Sequence, residues 1–148
     1  MRVTWTPSRH PDDYPFVHRL RVRFAETDAM GVVHHAAYLP YLEEARVEYL
    51  RSLGHPYAEL REEGIEFAVV EAAVSYLRPL SFDDEVDVHL VLAGATPATF
   101  QIGYLLTTGA EPRATAVTVH AALTRSGRPT RLPRWLTSLS PPPAAGHP

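Results

Sequence analysis

The sequence predicts an α+β domain with one long helix and a five-stranded antiparallel sheet. Three observations predict it. Residues 36–53 have the length and apolar spacing of a single long helix. One run before that stretch and four after it read as strands, most of them by two-residue alternation. The four later runs are joined by RPLSFDD, GATP and TGAEP, which is the chemistry of short turns.

Taken in order, residues 1–15 hold two aspartates, three prolines and little apolar material, and are expected to form an irregular arm. Over 17–24 the chain alternates, with Leu20, Val22 and Phe24 on one side and Arg19, Arg21 and Arg23 on the other. Three arginines on one strand face read as a solvated face, or as a basic strip for a phosphate-bearing ligand. A turn rich in acid, glycine and histidine follows over 26–35. In the helix, Tyr38, Leu42, Ala45, Tyr49 and Leu53 recur at near-helical spacing, and Leu39, Val47 and Leu50 broaden the stripe. Pro40 is tolerated only in a first turn, where its missing N–H has no acceptor to lose. The helix therefore starts close behind His35. Gly54 and Pro56 end it, after roughly 25 Å at about 1.5 Å per residue.

Residues 57–63 suggest a second, short helix stopped by Gly64. The run 65–77 is apolar on both sides, which predicts a central or doubly covered strand. Val86, Val88, Leu90 and Leu92 alternate against Asp87 and His89. Phe100, Ile102, Tyr104 and Leu106 alternate against Thr99, Gln101 and Gly103; Val117, Val119, Ala121 and Leu123 alternate against Thr118 and His120. The folded domain is expected over 16–137, and 138–148 to be a disordered tail with nothing to bury. A sheet wrapped round one helix leaves its outer face and edges exposed, which favours self-association.

Composition narrows the chemistry. A chain of 148 residues bounds one domain with a proper core. A net charge of −3 argues against a nucleic-acid partner. No run approaches the ~20 apolar residues of a membrane span. The first fifteen residues lack the apolar core of a signal peptide, so a cytoplasmic location is expected. There is no cysteine, no lysine and no asparagine. Thiol nucleophiles, Schiff bases, P-loops and asparagine oxyanion donors are thereby excluded. No serine lies in a G-x-S-x-G elbow. His34 and His35 are adjacent and expected to point apart, and no H-E-x-x-H spacing occurs, so neither metal nor other cofactor is implied.

What remains is carboxylate, imidazole, hydroxyl and backbone. Asp28 is an isolated carboxylate in the turn, seven residues before the helix opens. The first N–H groups of a helix lack partners and carry partial positive charge. A carboxylate facing them could attack a carbonyl while those donors hold the oxyanion. Equally, a turn aspartate can merely close an Asx turn.

The residues Thr27-Asp28-Ala29-Met30-Gly31-Val32-Val33-His34-His35, then Ala36-Ala37-Tyr38-Leu39 and Glu44-Ala45-Arg46, resemble the hotdog-fold acyl-CoA thioesterases. The nearest branch is that of 4-hydroxybenzoyl-CoA thioesterase and the tol-pal-associated enzymes, and the likeness runs over about 16–133. It implies a sheet wrapped round the central helix, hydrolysis of acyl-CoA to acid and CoA, and a homodimer or homotetramer with active sites at subunit interfaces. It implies Asp28 as nucleophile or general base, and the His35 N–H as the donor to the thioester carbonyl. Gly31 would let the backbone approach the thioester, and His34 would pack or line the pocket; Tyr38 could line the pocket or belong to the core. Two positions depart from the pattern: Phe24 stands where some relatives carry tyrosine, and Ala37 where asparagine is common.

Other residues offer further expectations. Glu43 and Glu44 could supply a helix-borne carboxylate, although pairing with Arg46, Glu48 and Arg51 is the simpler role. Arg125, Arg128, Arg131 and Arg134 recur every third residue after the last strand; Arg128 and Arg131 are candidates for the nucleotide end of coenzyme A. A hotdog hydratase is the enzymatic alternative, disfavoured because its D-x-N-P-x-H-like turn is missing. A non-enzymatic acyl-CoA-binding module is the third.

Overall fold

The computed structural model describes residues 2–139. Strand β1 (Phe16–Arg21) precedes the long helix α1 (Tyr38–Ser52), which a 3-10 turn at His35–Ala37 introduces. A short helix α2 (Tyr57–Glu62) follows. Strands β2 (Ile65–Tyr76), β3 (Glu85–Ala95), β4 (Thr99–Thr108) and β5 (Glu111–Thr124) then lead to α3 (Arg134–Thr137). The sheet has the order β1-β3-β4-β5-β2, and every pairing is antiparallel.

Helix α1 packs along the concave face of this sheet. Its buried stripe, Tyr38, Tyr41, Leu42, Ala45 and Tyr49, meets Val86, Val88 and Leu90 of β3 and Phe100, Ile102, Tyr104 and Leu106 of β4 in one core. The helix ends as its sequence predicts. Gly54 takes φ +83°, its N–H reaches Arg51 O, and the His55 N–H reaches Leu50 O. That pair of bonds is a Schellman motif. Gly64, at φ +82°, closes α2 in the same left-handed conformation.

Three expectations are corrected, and the inward face of β5, which alternation leaves open, is fixed. First, β1 stops at Arg21; Phe24 lies in a 3-10 turn and is 74 % exposed, packing edge-on against Phe82. Arg19 and Arg21 are committed to Asp87, Asp83 and Glu85, and Arg23 to Glu26, so they form a solvated, ion-paired face rather than a phosphate strip. Second, β2 is an edge strand. Only β5 pairs with it, and Val69, Val70 and Tyr76 are each about half exposed. Strand β5 turns inward the face that carries Ala116, Thr118, His120 and Ala122, whereas Val117 and Val119 lie across from Gly103 and Gln101 on the outer face. Third, that outer face is not bare. The arm crosses it, with Val3 N–H on Glu71, Thr4 N–H on Gln101, and Trp5 against Gly103, Val91, Leu105 and Tyr14. Of the tail expected over 138–148, Leu139 packs on the core and 140–148 lies outside the described residues.

Candidate active site

Residues 26–34 form a small two-stranded ladder. The Asp28 N–H donates to Val32 O and the His34 N–H to Glu26 O, with Thr27 and Val33 bridged between them. The Gly31 N–H returns to Asp28 O, and Gly31 has φ +79°, which a side chain adopts only at a cost. A second bridge, Val32 to Ser81, and the Val33 N–H on Leu80 O fix the ladder to the main sheet. Asp28 is thereby held two ladder steps from the turn that opens into α1.

The Asp28 carboxylate is half-buried. Its Oδ1 accepts from the Met30 N–H at 2.8 Å, an Asx turn, and more weakly from the Val32 N–H at 3.4 Å. Its Oδ2 has no hydrogen bond among the described residues. At the helix start, His34 is exposed and acts as a cap: its Nδ1 accepts from the Ala36 N–H at 3.1 Å. Contrary to expectation, the two imidazoles do not point apart. They stack, centroids 4.3 Å apart and 29° between planes. The His35 N–H has no acceptor among the described residues, while its carbonyl accepts from the Tyr76 hydroxyl at 3.1 Å. Tyr38 is 3 % exposed and meets Tyr76 edge-on at 4.9 Å. His35, Tyr38 and Tyr76, with Val33 and Arg78, line an open cleft of about 290 Å³; Asp28, Gly31 and His34 are not among its walls.

Behind the ladder stands Glu26, which the sequence reading passed over. It accepts from the Arg23 N–H at 2.8 Å, the Tyr41 hydroxyl at 2.7 Å and the Arg23 guanidinium. Burial opposes its ionisation, but those hydrogen bonds outweigh burial and hold its carboxyl below the usual carboxylate range. The signal was present as an R-x-x-E spacing, which is a capping box once the chain turns at Phe24.

A second cavity, of about 260 Å³, lies at the other end of β2, between α1 and the sheet; Glu43, Arg46, Tyr57 and Phe67 are among its walls. The intrahelical pairing expected of Arg46 with Glu43 is not formed. Arg46 instead donates to Tyr104 Oη at 3.1 Å. Glu44 pairs with His18 at 2.6 Å, and Glu48 with Arg51 at 3.3 Å. Tyr104 Oη lies 2.7 Å from Thr118 Oγ1, which lies 2.8 Å from His120 Nε2, and all three residues are buried. Burial, and secondarily the charge of Arg46, depress the His120 pKa to about 3, so its imidazole is neutral.

Arg128 and Arg131 are exposed, and neither side chain has a partner among the described residues. They do not approach Asp28 within one chain. Tyr76 pairs with Ala114 near the Asp28 end, whereas Ile65 pairs with Thr124 just before these arginines. Ten strand residues separate the two ends, roughly 33 Å at about 3.3 Å each.

Comparison with known proteins agrees with this architecture. The model of the thioesterase-like superfamily matches residues 22–139. A 1,4-dihydroxy-2-naphthoyl-CoA hydrolase of Synechococcus elongatus is 33% identical over 134 residues, covering 84% of this chain and 95% of its own length. An acyl-CoA thioesterase of Haemophilus influenzae is 39% identical over 88 residues, 59% of this chain and 65% of its own. The crystal structure of a hypothetical protein from Aquifex aeolicus superposes with a TM-score of 0.80 at 40% identity, covering 82% of this chain and 96% of that one. By fold and by sequence alike, the chain belongs to the thioesterase-like superfamily of hotdog-fold thioester hydrolases.

Proposed function

We propose that the protein is a cytoplasmic acyl-CoA thioesterase in which Asp28 and the His35 N–H form the reacting pair. One observation carries this reading: a carboxylate oxygen and a helix-entry N–H, neither hydrogen-bonded among the described residues, are held at the two ends of one short ladder whose His35 end opens on a cleft. Such a pair suits a thioester. The carbonyl oxygen accepts from the His35 N–H, which stabilises negative charge as the carbon becomes tetrahedral. Asp28 Oδ2 takes a proton from an attacking water, or attacks the carbon itself to give an anhydride that water then opens. In either route the C–S bond breaks, the sulfur leaves as thiolate and is protonated, and the products are a carboxylic acid and CoA.

One chain holds the parts at opposite ends of β2. The cleft beside His35 lies at its Tyr76 end; the second cavity, Arg128 and Arg131 lie towards its Ile65 end. The free edge of β2, with Val69 and Val70 exposed, invites antiparallel pairing with a second copy. Pairing near mid-strand would carry the cavity and the arginines of one copy beside the Asp28 of the other. The functional unit is therefore proposed as a homodimer or a dimer of dimers. In it the acyl group enters the second cavity and Arg128 and Arg131 meet the phosphates of CoA.

The test is release of free CoA from a panel of acyl-CoAs, read with a thiol-reactive dye; the protein has no cysteine of its own to react. Asp28→Asn is expected to lower turnover at least about a hundredfold, in line with loss of a general base. Undiminished turnover in that variant would move the chemistry to Glu43 or Glu44. Binding of acyl-CoA without any hydrolysis by the wild type would make the protein a binding module.

A further inference from the structure

The cavity at the Ile65 end of β2 has walls of two kinds. Val47, Leu50, Phe67 and Phe100 are apolar, and the two phenyl rings meet edge to face at 5.0 Å. Arg46 and Glu43 bring charge. At about 260 Å³ the space exceeds the roughly 150 Å³ that accommodates benzene in an apolar protein cavity. A ring or a short chain therefore fits with room for a substituent.

Among the described residues, Arg46 is the only cation on that wall. A guanidinium offers five N–H donors and accepts nothing. Among the described residues Arg46 has one hydrogen-bond partner, the Tyr104 hydroxyl, and no carboxylate within 4.0 Å. Glu43, one turn earlier on the same helix and the same cavity, does not reach it. The hydrogen-bond chain behind Tyr104 explains the direction Arg46 takes. Tyr104 accepts from Arg46, so its own proton goes to Thr118 Oγ1, and the proton of Thr118 goes to His120 Nε2. This is the arrangement that leaves both buried hydroxyl protons with acceptors. It puts the His120 proton on Nδ1, a buried donor without an acceptor among the described residues. Arg46 thus heads the relay through a single bond, to the Tyr104 hydroxyl. The remaining guanidinium donors have no protein acceptor among the described residues and are available to a group that enters the cavity.

We propose that Arg46 sets acyl specificity: anchored by Tyr104, it donates to an oxygen at the far end of the acyl group, a hydroxyl or a carboxylate. Acyl-CoAs bearing that oxygen are then hydrolysed in preference to their apolar counterparts. This deepens the thioesterase reading and rests on it. Arg46 is not a catalytic residue here, since it stands at the opposite end of the acyl group from the thioester.

Two matched pairs test it: succinyl-CoA against butyryl-CoA for a carboxylate, and 4-hydroxybenzoyl-CoA against benzoyl-CoA for a hydroxyl. The ratio of kcat/KM within each pair is measured for the wild type, Arg46→Met and Arg46→Lys. A charge-assisted hydrogen bond supports a preference of about ten- to a hundredfold for the oxygen-bearing member of at least one pair. Arg46→Met is expected to bring that ratio within about threefold of one, the larger loss falling on the oxygen-bearing member. Arg46→Lys, which keeps a cation, is expected to retain part of the preference. Wild-type ratios near one, an Arg46→Met ratio equal to that of the wild type, or equal losses on both members of a pair would each overturn the proposal while leaving the thioesterase standing. A wild type that releases CoA from none of the four substrates would overturn the thioesterase reading, and this proposal with it, whatever Arg46 does.

Discussion

His120 is fully buried, accepts a hydrogen bond at Nε2 and stacks on Phe100 at 4.8 Å. Protonating it would break that bond and set a second cation in the same interior as Arg46. Its pKa falls to about 3, from an unfolded value near 6.5. Between those limits the unfolded chain binds a proton that the native chain does not. The contribution to stability is therefore complete above about pH 6.5 and is lost as pH falls, by up to about 1.4 kcal/mol per pH unit. His89, also lowered by burial, acts in the same direction, and the depressed carboxyls of Glu26 and Asp87 add their losses at lower pH. The His120 share is isolated by difference: urea unfolding from pH 7 to 4.5 is expected to give a shallower decline for His120→Gln than for the wild type. Parallel curves would show that His120 is not the group responsible. This relay was illegible in the sequence for a definite reason. Alternation along 117–123 separates two faces but does not say which is inward, and the more apolar face is the outer one because the arm covers it. The loop that carries Asp28, Gly31 and His35 was legible as a loop because a tight turn before a helix start leaves local marks: an acid, a glycine at positive φ, and a proline in the first helical turn.

At the scale of elements, the helices and turns followed their sequence closely, since caps and breakers act within a few residues. Gly54 and Gly64 stop their helices where the pattern places them. Strand order is a different matter, because pairing is set by distant partners. The run 65–77 reads as central because it is apolar on both sides, yet in the single chain it is the edge. An edge strand that long, blunted only by an irregularity between Val69 and Glu71, carries apolar side chains suited to a covered position. The proposed dimer supplies the cover. Val70→Lys would bring two ammonium groups together near the twofold axis of that pairing, so the variant is expected to lose mass towards the monomer by light scattering. Turnover should fall with it, because Asp28 and the acyl cavity would no longer share a site. A variant that keeps both the wild-type mass and the wild-type turnover would remove β2 as the joining edge.

The whole molecule is closed on its convex side by residues outside the family match, which begins at residue 22. Trp5 lies on Gly103, and beneath and around it Val91, Leu105, Val117 and Val119 are at most 2 % exposed. Side-chain bonds pin the strap at Glu71 and Gln101, and the Tyr14 hydroxyl closes its loop on Ser8 O at 2.6 Å. Only a glycine permits this approach: a Cβ at residue 103 would lie 1.9 Å from Trp5 Cζ3 and under 3 Å from two more ring atoms. Alanine is otherwise acceptable in a strand and touches nothing on the helix side, so Gly103→Ala unseats the arm selectively. Overpacking of this kind costs about 1–3 kcal/mol. The loss is expected in Gly103→Ala and in Trp5→Ala alike, but not twice in the double variant, because both remove one contact. Denaturant unfolding of the four proteins measures the coupling. With the strap released, four apolar side chains on a flat sheet face become available to other chains, so association beyond the wild-type mass is the accompanying sign. If the two substitutions simply add, Trp5 does not hold the arm on the sheet. The convex face would then owe its burial to the rest of the strap, from Ser8 to Tyr14.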